Sequence, residues 1–201
     1  MSVDKDIVTN NQLTAALSGW NIADHLKHKT FDELKAIQKA ESLPFAVAAV
    51  NLNGGLNIGS MLRTAVVMGA QKFFIIGKRK YDKRACVGAN HYIDIEFIEE
   101  DINDASAQEI IYQTLMDQNL LPVALETGYE DIMAVDFTSL QPVCLMFGEE
   151  ATGLPTTFTS RIPHKYSIEQ YGVLRSLNVS SAAAMAIFKV AMDLRMPRGW
   201  K

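Results

Sequence analysis

The chain has 201 residues, 48% of them hydrophobic, which suits one domain with a sizeable core and room for a short extension. The formal net charge of −4 argues against a uniformly basic nucleic-acid binder but leaves room for a local basic patch. The apolar runs are too short to span a bilayer, and Cys86 and Cys144 are too far apart for a metal-like spacing or a disulfide framework.

The opening residues Met1 to Asn10 are polar and acidic, unlike a secretory leader, so a cytoplasmic location is expected. Residues 1–44 read as a helical extension of two or three short helices, closed by Pro44. Thr30-Phe-Asp-Glu33 has capping-box form and opens the clearest of them. His25 and His28 sit one turn apart without a third ligand nearby and read as a solvated helix face, so no metal is expected.

From Phe45 to the end, residues 45–201, the pattern is that of one α/β domain. Phe45 to Val50 is a short apolar run of the kind found in buried parallel strands. A turn rich in Gly and Asn follows, then a helix through Met61, Leu62, Ala65, Val66 and Met68, which Gly69 can end in a left-handed cap. Phe73–Ile76 and Ile93–Ile98 read as strands. A helix starts at Asp104 or Ser106, with Ser106-Ala-Gln-Glu109 as a second capping box, and runs to about Asn119. Pro122–Leu125, Val143–Phe147 and Tyr166–Ile168 complete the strands. Asn178 caps the last helix, whose apolar stripe is Val179, Ala182, Ala183, Ala186, Val190 and Leu194. Alternating strands and helices imply a mainly parallel sheet with helices on both faces. Ligands then bind beyond the carboxyl ends of the strands, so the loops after Val50, Ile76, Leu125, Phe147 and Ile168 are the ones to watch.

Three of these stretches carry polar groups suited to chemistry. The first, Asn57-Ile-Gly59-Ser-Met-Leu-Arg63-Thr-Ala65, follows a strand and opens a helix, but its glycines do not match a dinucleotide fingerprint. Asn57 and Arg63 lie on different helical faces, and would converge if Asn57 sat in the turn and Arg63 reached back. The second, Phe147-Gly148-Glu149-Glu150-Ala151-Thr152-Gly153-Leu154, has glycines at phosphate-loop spacing but lacks the Lys-Ser/Thr ending. Its paired carboxylates would repel a triphosphate and suit a neutral or cationic ligand, such as one with an amine and a sulfonium. The third is Ser176-Leu177-Asn178-Val179-Ser180-Ser181-Ala182.

Taken together and in order, the three resemble the motifs of the SpoU (TrmH-like) branch of the SPOUT RNA methyltransferases, over about residues 45–196. The resemblance implies a C-terminal deep trefoil knot, a homodimer, and S-adenosylmethionine as methyl donor to a ribose 2′-hydroxyl of tRNA or rRNA. It places the cofactor against Gly148, Ile168 and Leu177, with Thr127 added from the neighbouring loop. Arg63 is the motif arginine that assists the hydroxyl, and Asn57, Glu150, Ser176 and Asn178 match the other polar motif positions. A guanidinium stays protonated, so Arg63 is read as orienting phosphate and stabilising the developing alkoxide. The motif commonly has Asn where this chain has Glu149, and the extra carboxylate bears on the choice of RNA.

Lys78-Arg79-Lys80-Tyr81-Asp82-Lys83-Arg84 is the expected RNA contact, through its five basic residues and a tyrosine free to stack on a base. Arg195, Arg198, Trp200 and Lys201 would extend it. The alternatives are a base methyltransferase, an inactive knotted RNA-binding protein and a nucleotide-dependent Rossmann-type enzyme. The intact polar set argues against the first two, and the missing glycine spacing and P-loop lysine against the third.

Overall fold

Burial on both faces of the apolar runs makes them central strands. Phe45, Val47 and Ala49 turn to one face of the sheet and Ala46, Ala48 and Val50 to the other, and all are at most 6% exposed. The computed structural model describes residues 21–50, 55–140 and 142–196. Six strands, β1 Leu43–Val50, β2 Ala70–Ile76, β3 Asp94–Ile98, β4 Leu121–Asp131, β5 Val143–Phe147 and β6 His164–Ser167, form one sheet in the order β3-β2-β1-β5-β4-β6. Every neighbouring pair runs parallel.

The helices are α1 Phe31–Ala40, α2 Gly55–Met68, α3 Ala105–Met116, α4 Thr156–Thr159 and α5 Val179–Arg195. α2 and α5 cover one face, where Met61, Leu62 and Ala65 meet Ala183, Ala186 and Val190 over Phe45 and Phe73. α3 and α4 cover the other, where Ile111, Leu115 and Phe158 pack on Phe74 and Met146. The sheet is therefore buried from both sides, as parallel sheets require.

Local chemistry sets the element ends. The capping box at α1 is formed: Glu33 N–H donates to Thr30 Oγ1 and Thr30 N–H to Glu33 Oε2 at 2.7 Å. Gly69 stops α2 at φ +84° and turns its carbonyl to Leu43 N–H at 2.7 Å. The capping box expected at Ser106 is absent, because Asp104 is the cap. Its carboxylate accepts from Ser106 N–H at 2.8 Å and Ser106 Oγ at 2.6 Å, and the helix starts at Ala105, so Ser106 stands inside the first turn and not at the cap. β4 runs past the expected Leu125: Leu125 and Glu130 both register with Tyr166, and residues 126–129 arch out between them. That arch, with Gly128 at φ +87°, looks like a strand end in sequence, whereas β4 resumes beyond it. Of the N-terminal arm, α1 and a single 3-10 turn at Asp24–Leu26 are described; Pro44, expected to close the arm, lies inside β1 instead, and residues 1–20 lie outside the described residues.

The strand order reverses between β1 and β5. The chain moves outward from β1 to β3, then fills in on the other side with β4, β5 and β6. In open parallel sheets this is where a crevice forms at the carboxyl edge.

Candidate functional site

Three segments far apart in sequence meet at that crevice. Asn57 lies in the first turn of α2, not in the preceding turn, and its Nδ2 donates to Glu150 Oε2 at 3.1 Å. Asn178 Nδ2 donates to Asn57 Oδ1 and to Glu150 Oε1, both at 3.1 Å. The third corner is fixed by the helix it starts, since Asn178 Oδ1 accepts from Ser180 N–H at 2.9 Å and from Ser180 Oγ at 2.6 Å. Asn57, Glu150 and Asn178 thus form a closed ring of hydrogen bonds in which both carboxylate oxygens are held by neutral amides.

Close backbone packing supports the ring. A Cβ on Gly59 would come within 2.6 Å of Ala85 Cβ and 2.9 Å of Asp82 O, so the motif glycine lets α2 lie against the 82–85 turn. A Cβ on Gly148 would overlap the main chain of Gly153 and Leu154, where the loop doubles back. Gly153, at φ +67°, closes that loop by donating its N–H to Glu149 O at 2.8 Å.

The loop walls a cavity of about 470 Å³ bordered by Gly148, Thr127, Ile168 and Leu177, the residues expected to meet the cofactor, and by Glu150 and Ser176. An adjoining cavity of about 330 Å³ passes under Asn57, Gly148 and Glu150 toward Val50. Sequence reasoning missed Glu126, also in the wall. Its Oε1 accepts Leu154 N–H at 2.5 Å, and burial raises its pKa while that hydrogen bond pulls it down. The available signal was a carboxylate directly following the apolar run of β4.

Other expected positions fall elsewhere. Arg63 is exposed and borders a small cleft with Ile22, Cys86 and Tyr92, away from the ring. Six residues of helix turn it about 240° from Asn57 and carry it about 9 Å along the axis, so reaching back is not open to it. Lys78, Arg79, Lys80, Lys83 and Arg84 are exposed at the end of β2. Arg84 is already committed to Asp82, with Nε 3.0 Å from both carboxylate oxygens. That pairing holds Asp82 down at about 2.

Tyr81 is not free to stack on a base: it is 9% exposed, packs on Phe97, and burial pushes its phenol up to about 12. In sequence it sits among charges, but the turn that follows folds it into the core beside Cys86. Arg195 does not extend the basic loop either. It donates to Glu41 O at the opposite end of the sheet, and Arg198, Trp200 and Lys201 lie outside the described residues. Among the described residues no cluster of three or more His, Cys, Asp or Glu could hold a metal ion, and no helix is long and apolar enough to cross a membrane. Cys86 and Cys144 are both buried free thiols.

The profile of the SpoU rRNA Methylase family matches residues 44–188, which span every strand and the ring. The chain belongs to the SpoU rRNA methylase family. It is 24% identical over 136 residues to a tRNA (guanosine(18)-2′-O)-methyltransferase of Escherichia coli K12, covering 66% of this chain and 56% of that enzyme. The SpoU chain thus spans little more than half the length of this relative. A TrmH/SpoU tRNA modifying enzyme of A. aeolicus superposes with a TM-score of 0.66 at 20% identity over 81% of each chain. An AdoMet-bound rRNA methyltransferase of Sinorhizobium meliloti superposes at 0.64, with 24% identity over 82% of this chain and 61% of that one. At these identities the structural likeness is one of fold.

Proposed function

We propose that the protein is an S-adenosylmethionine-dependent RNA methyltransferase acting on a ribose 2′-hydroxyl of tRNA or rRNA. The observation that carries this is the Asn57–Glu150–Asn178 ring at the lip of the cavity bordered by Gly148, Thr127, Ile168 and Leu177, in a chain of the SpoU family. The cavity fits the donor in size and lining. Leu125, Ile168, Leu177 and Val179 offer apolar walls for a base, main chain lies close at Gly148, and carboxylates face the cationic part. When bound, that group supplies an activated methyl on a sulfonium.

The rest is done by this chain's residues. Glu150, Asn57 and Asn178 hold the ribose side of the cavity rigid, and Ser176 on its wall contacts the substrate. Arg63 orients a substrate phosphate and stabilises the alkoxide as the hydroxyl proton passes to solvent. Arg63 faces away from the ring of its own copy, so we infer that it completes the site of a second copy. The exposed stripe Leu56, Arg63 and Val67 on α2 and the exposed Met185 and Phe188 on α5 give an apolar surface for such a homodimer. Lys78, Arg79, Lys80 and Lys83 supply the phosphate contacts, with Arg84 a lesser one because of Asp82. In this reading the C-terminal chain is knotted as in the family, the described residues before β1 are an extension to the domain that β1 opens at Leu43, and the protein works in the cytoplasm.

Incubation with labelled S-adenosylmethionine and total RNA, followed by mapping of ribose methylation, tests this. Label on specific 2′-oxygens is expected; label confined to bases, or no transfer with RNA still bound, overturns it.

A further inference from the structure

We propose that Glu126 makes the cavity a charge filter, one that holds the sulfonium methyl donor in preference to its neutral thioether product. This rests on reading the cavity as the S-adenosylmethionine site. In the reaction the ribose oxygen takes the methyl carbon, the S–C electron pair stays on sulfur, and the hydroxyl proton passes to solvent water. The bound molecule therefore loses one positive charge, and its wall decides what that loss does to affinity.

The wall is acidic by construction. Glu126, Glu149 and Glu150 border the cavity against a single cationic side chain there, Arg175. Glu150 is held by the amides of Asn57 and Asn178, which fix its position without cancelling its charge. Glu126 is held by the loop itself. Leu154 N–H donates to its Oε1 at 2.5 Å, and its Oε2 lies 2.7 Å from where a Cβ on Gly153 would stand. The glycine thus makes room for the carboxylate, and the loop that closes the cavity clamps it there. A half-buried carboxylate that cannot swing into solvent keeps an electrostatic grip on a cation that an exposed one would lose to screening. Once the methyl has gone, that attraction goes with it and the product leaves readily.

Calorimetry on the full chain, with S-adenosylmethionine, S-adenosylhomocysteine and the analogue bearing a charged amine in place of the sulfonium methyl, tests the filter. The wild type is expected to bind both cations about tenfold tighter than the thioether, a ratio worth about 1.4 kcal/mol. Glu126→Gln should bring the three within about threefold, and Glu126→Asp should keep the preference. Equal affinities in the wild type, or a Glu126→Gln variant that weakens all three ligands in proportion, would overturn the proposal; the second result would leave Glu126 a mere clamp. If Glu126→Gln does not fold, a salt series on the wild type decides: the preference must persist between about 0.05 and 0.5 M salt, and a ratio that collapses with salt would assign it to exposed charges and sink the filter. Failure of the wild type to bind any of the three removes the cofactor reading itself, and the filter with it.

Discussion

Two polar clusters tie distant segments together, one at each end of the parallel sheet, and they handle charge in opposite ways. At the amino edge, Lys72 on β2 meets Asp94 at 3.2 Å and Glu96 at 2.6 Å, while Gln118 accepts from Lys72 at 2.8 Å and donates to Glu96 at 3.2 Å. There a cation is answered by anions, and the cluster has little left to offer a partner. At the carboxyl edge, Glu150 is answered only by amides, and its charge stays available to whatever enters the cavity. Rigid placement of an uncompensated charge separates a site from a staple.

The contrast breaks most sharply at Arg63. Arg63→Ala should lower methyl transfer about 10²- to 10³-fold while cofactor affinity by calorimetry stays within about twofold. Mixed with an Asn178→Ala chain, it should regain about a quarter of wild-type transfer if the proposed homodimer shares its sites, since half of such dimers are mixed and each has one intact site. Normal transfer by the Arg63 variant would reject its role. Gly148→Val should weaken cofactor binding about 100-fold, because the doubled-back loop has no room for a side chain. Unchanged affinity would mean that the cavity is not the cofactor site.

Asn178→Ala removes a cap and a corner of the ring at once. About 1 kcal/mol of stability should go in denaturant unfolding, together with most of the transfer. Lys72→Met should cost a similar 1 kcal/mol or so and leave cofactor affinity alone; a matching loss of affinity would erase the distinction between the two edges.

The smallest effects are in pH. Burial by itself would depress Lys72, but hydrogen bonds to Glu96 and Asp94 outweigh it and raise its ammonium above the ordinary 10.5. Its stabilisation is therefore complete below that pH and fades as pH rises through the higher folded value, so the gap between wild type and Lys72→Met should close in alkali. Glu126 runs the other way. Burial, only partly offset by Leu154 N–H, raises it above 4.5, so the folded chain holds a proton that the unfolded chain has released. Stability should fall as pH rises through that window, and Glu126→Gln, tested without ligand, should remove this slope.

The parts of this arrangement that obey local rules were legible in the sequence. The apolar runs of β1, β2 and β5 have room for little but a doubly covered strand, and Asn178 sits where a helix cap must sit. The motif residues Asn57, Glu150 and Asn178 could be named, but their ring depends on how β1 and β5 sit side by side, which no local pattern encodes. Tyr81 misled because a charged neighbourhood in sequence says nothing about which way one ring turns. The arch in β4 misled because a glycine-bearing excursion and a strand end share one composition. Arg63 is a matter of helix phase: its spacing from Asn57 already excluded one common face, and the helix turns it toward a different cleft. Glu126 was passed over because carboxylates after strands are common, and only the fold of Gly153 against it marks it out.

One amide, that of Asn178, both starts α5 and completes the ring. Fraying of that first turn and loss of the ring are consequently a single event. On a growing chain the ring closes only once the first turn of α5 has wound, so a product truncated before Asn178 cannot form it.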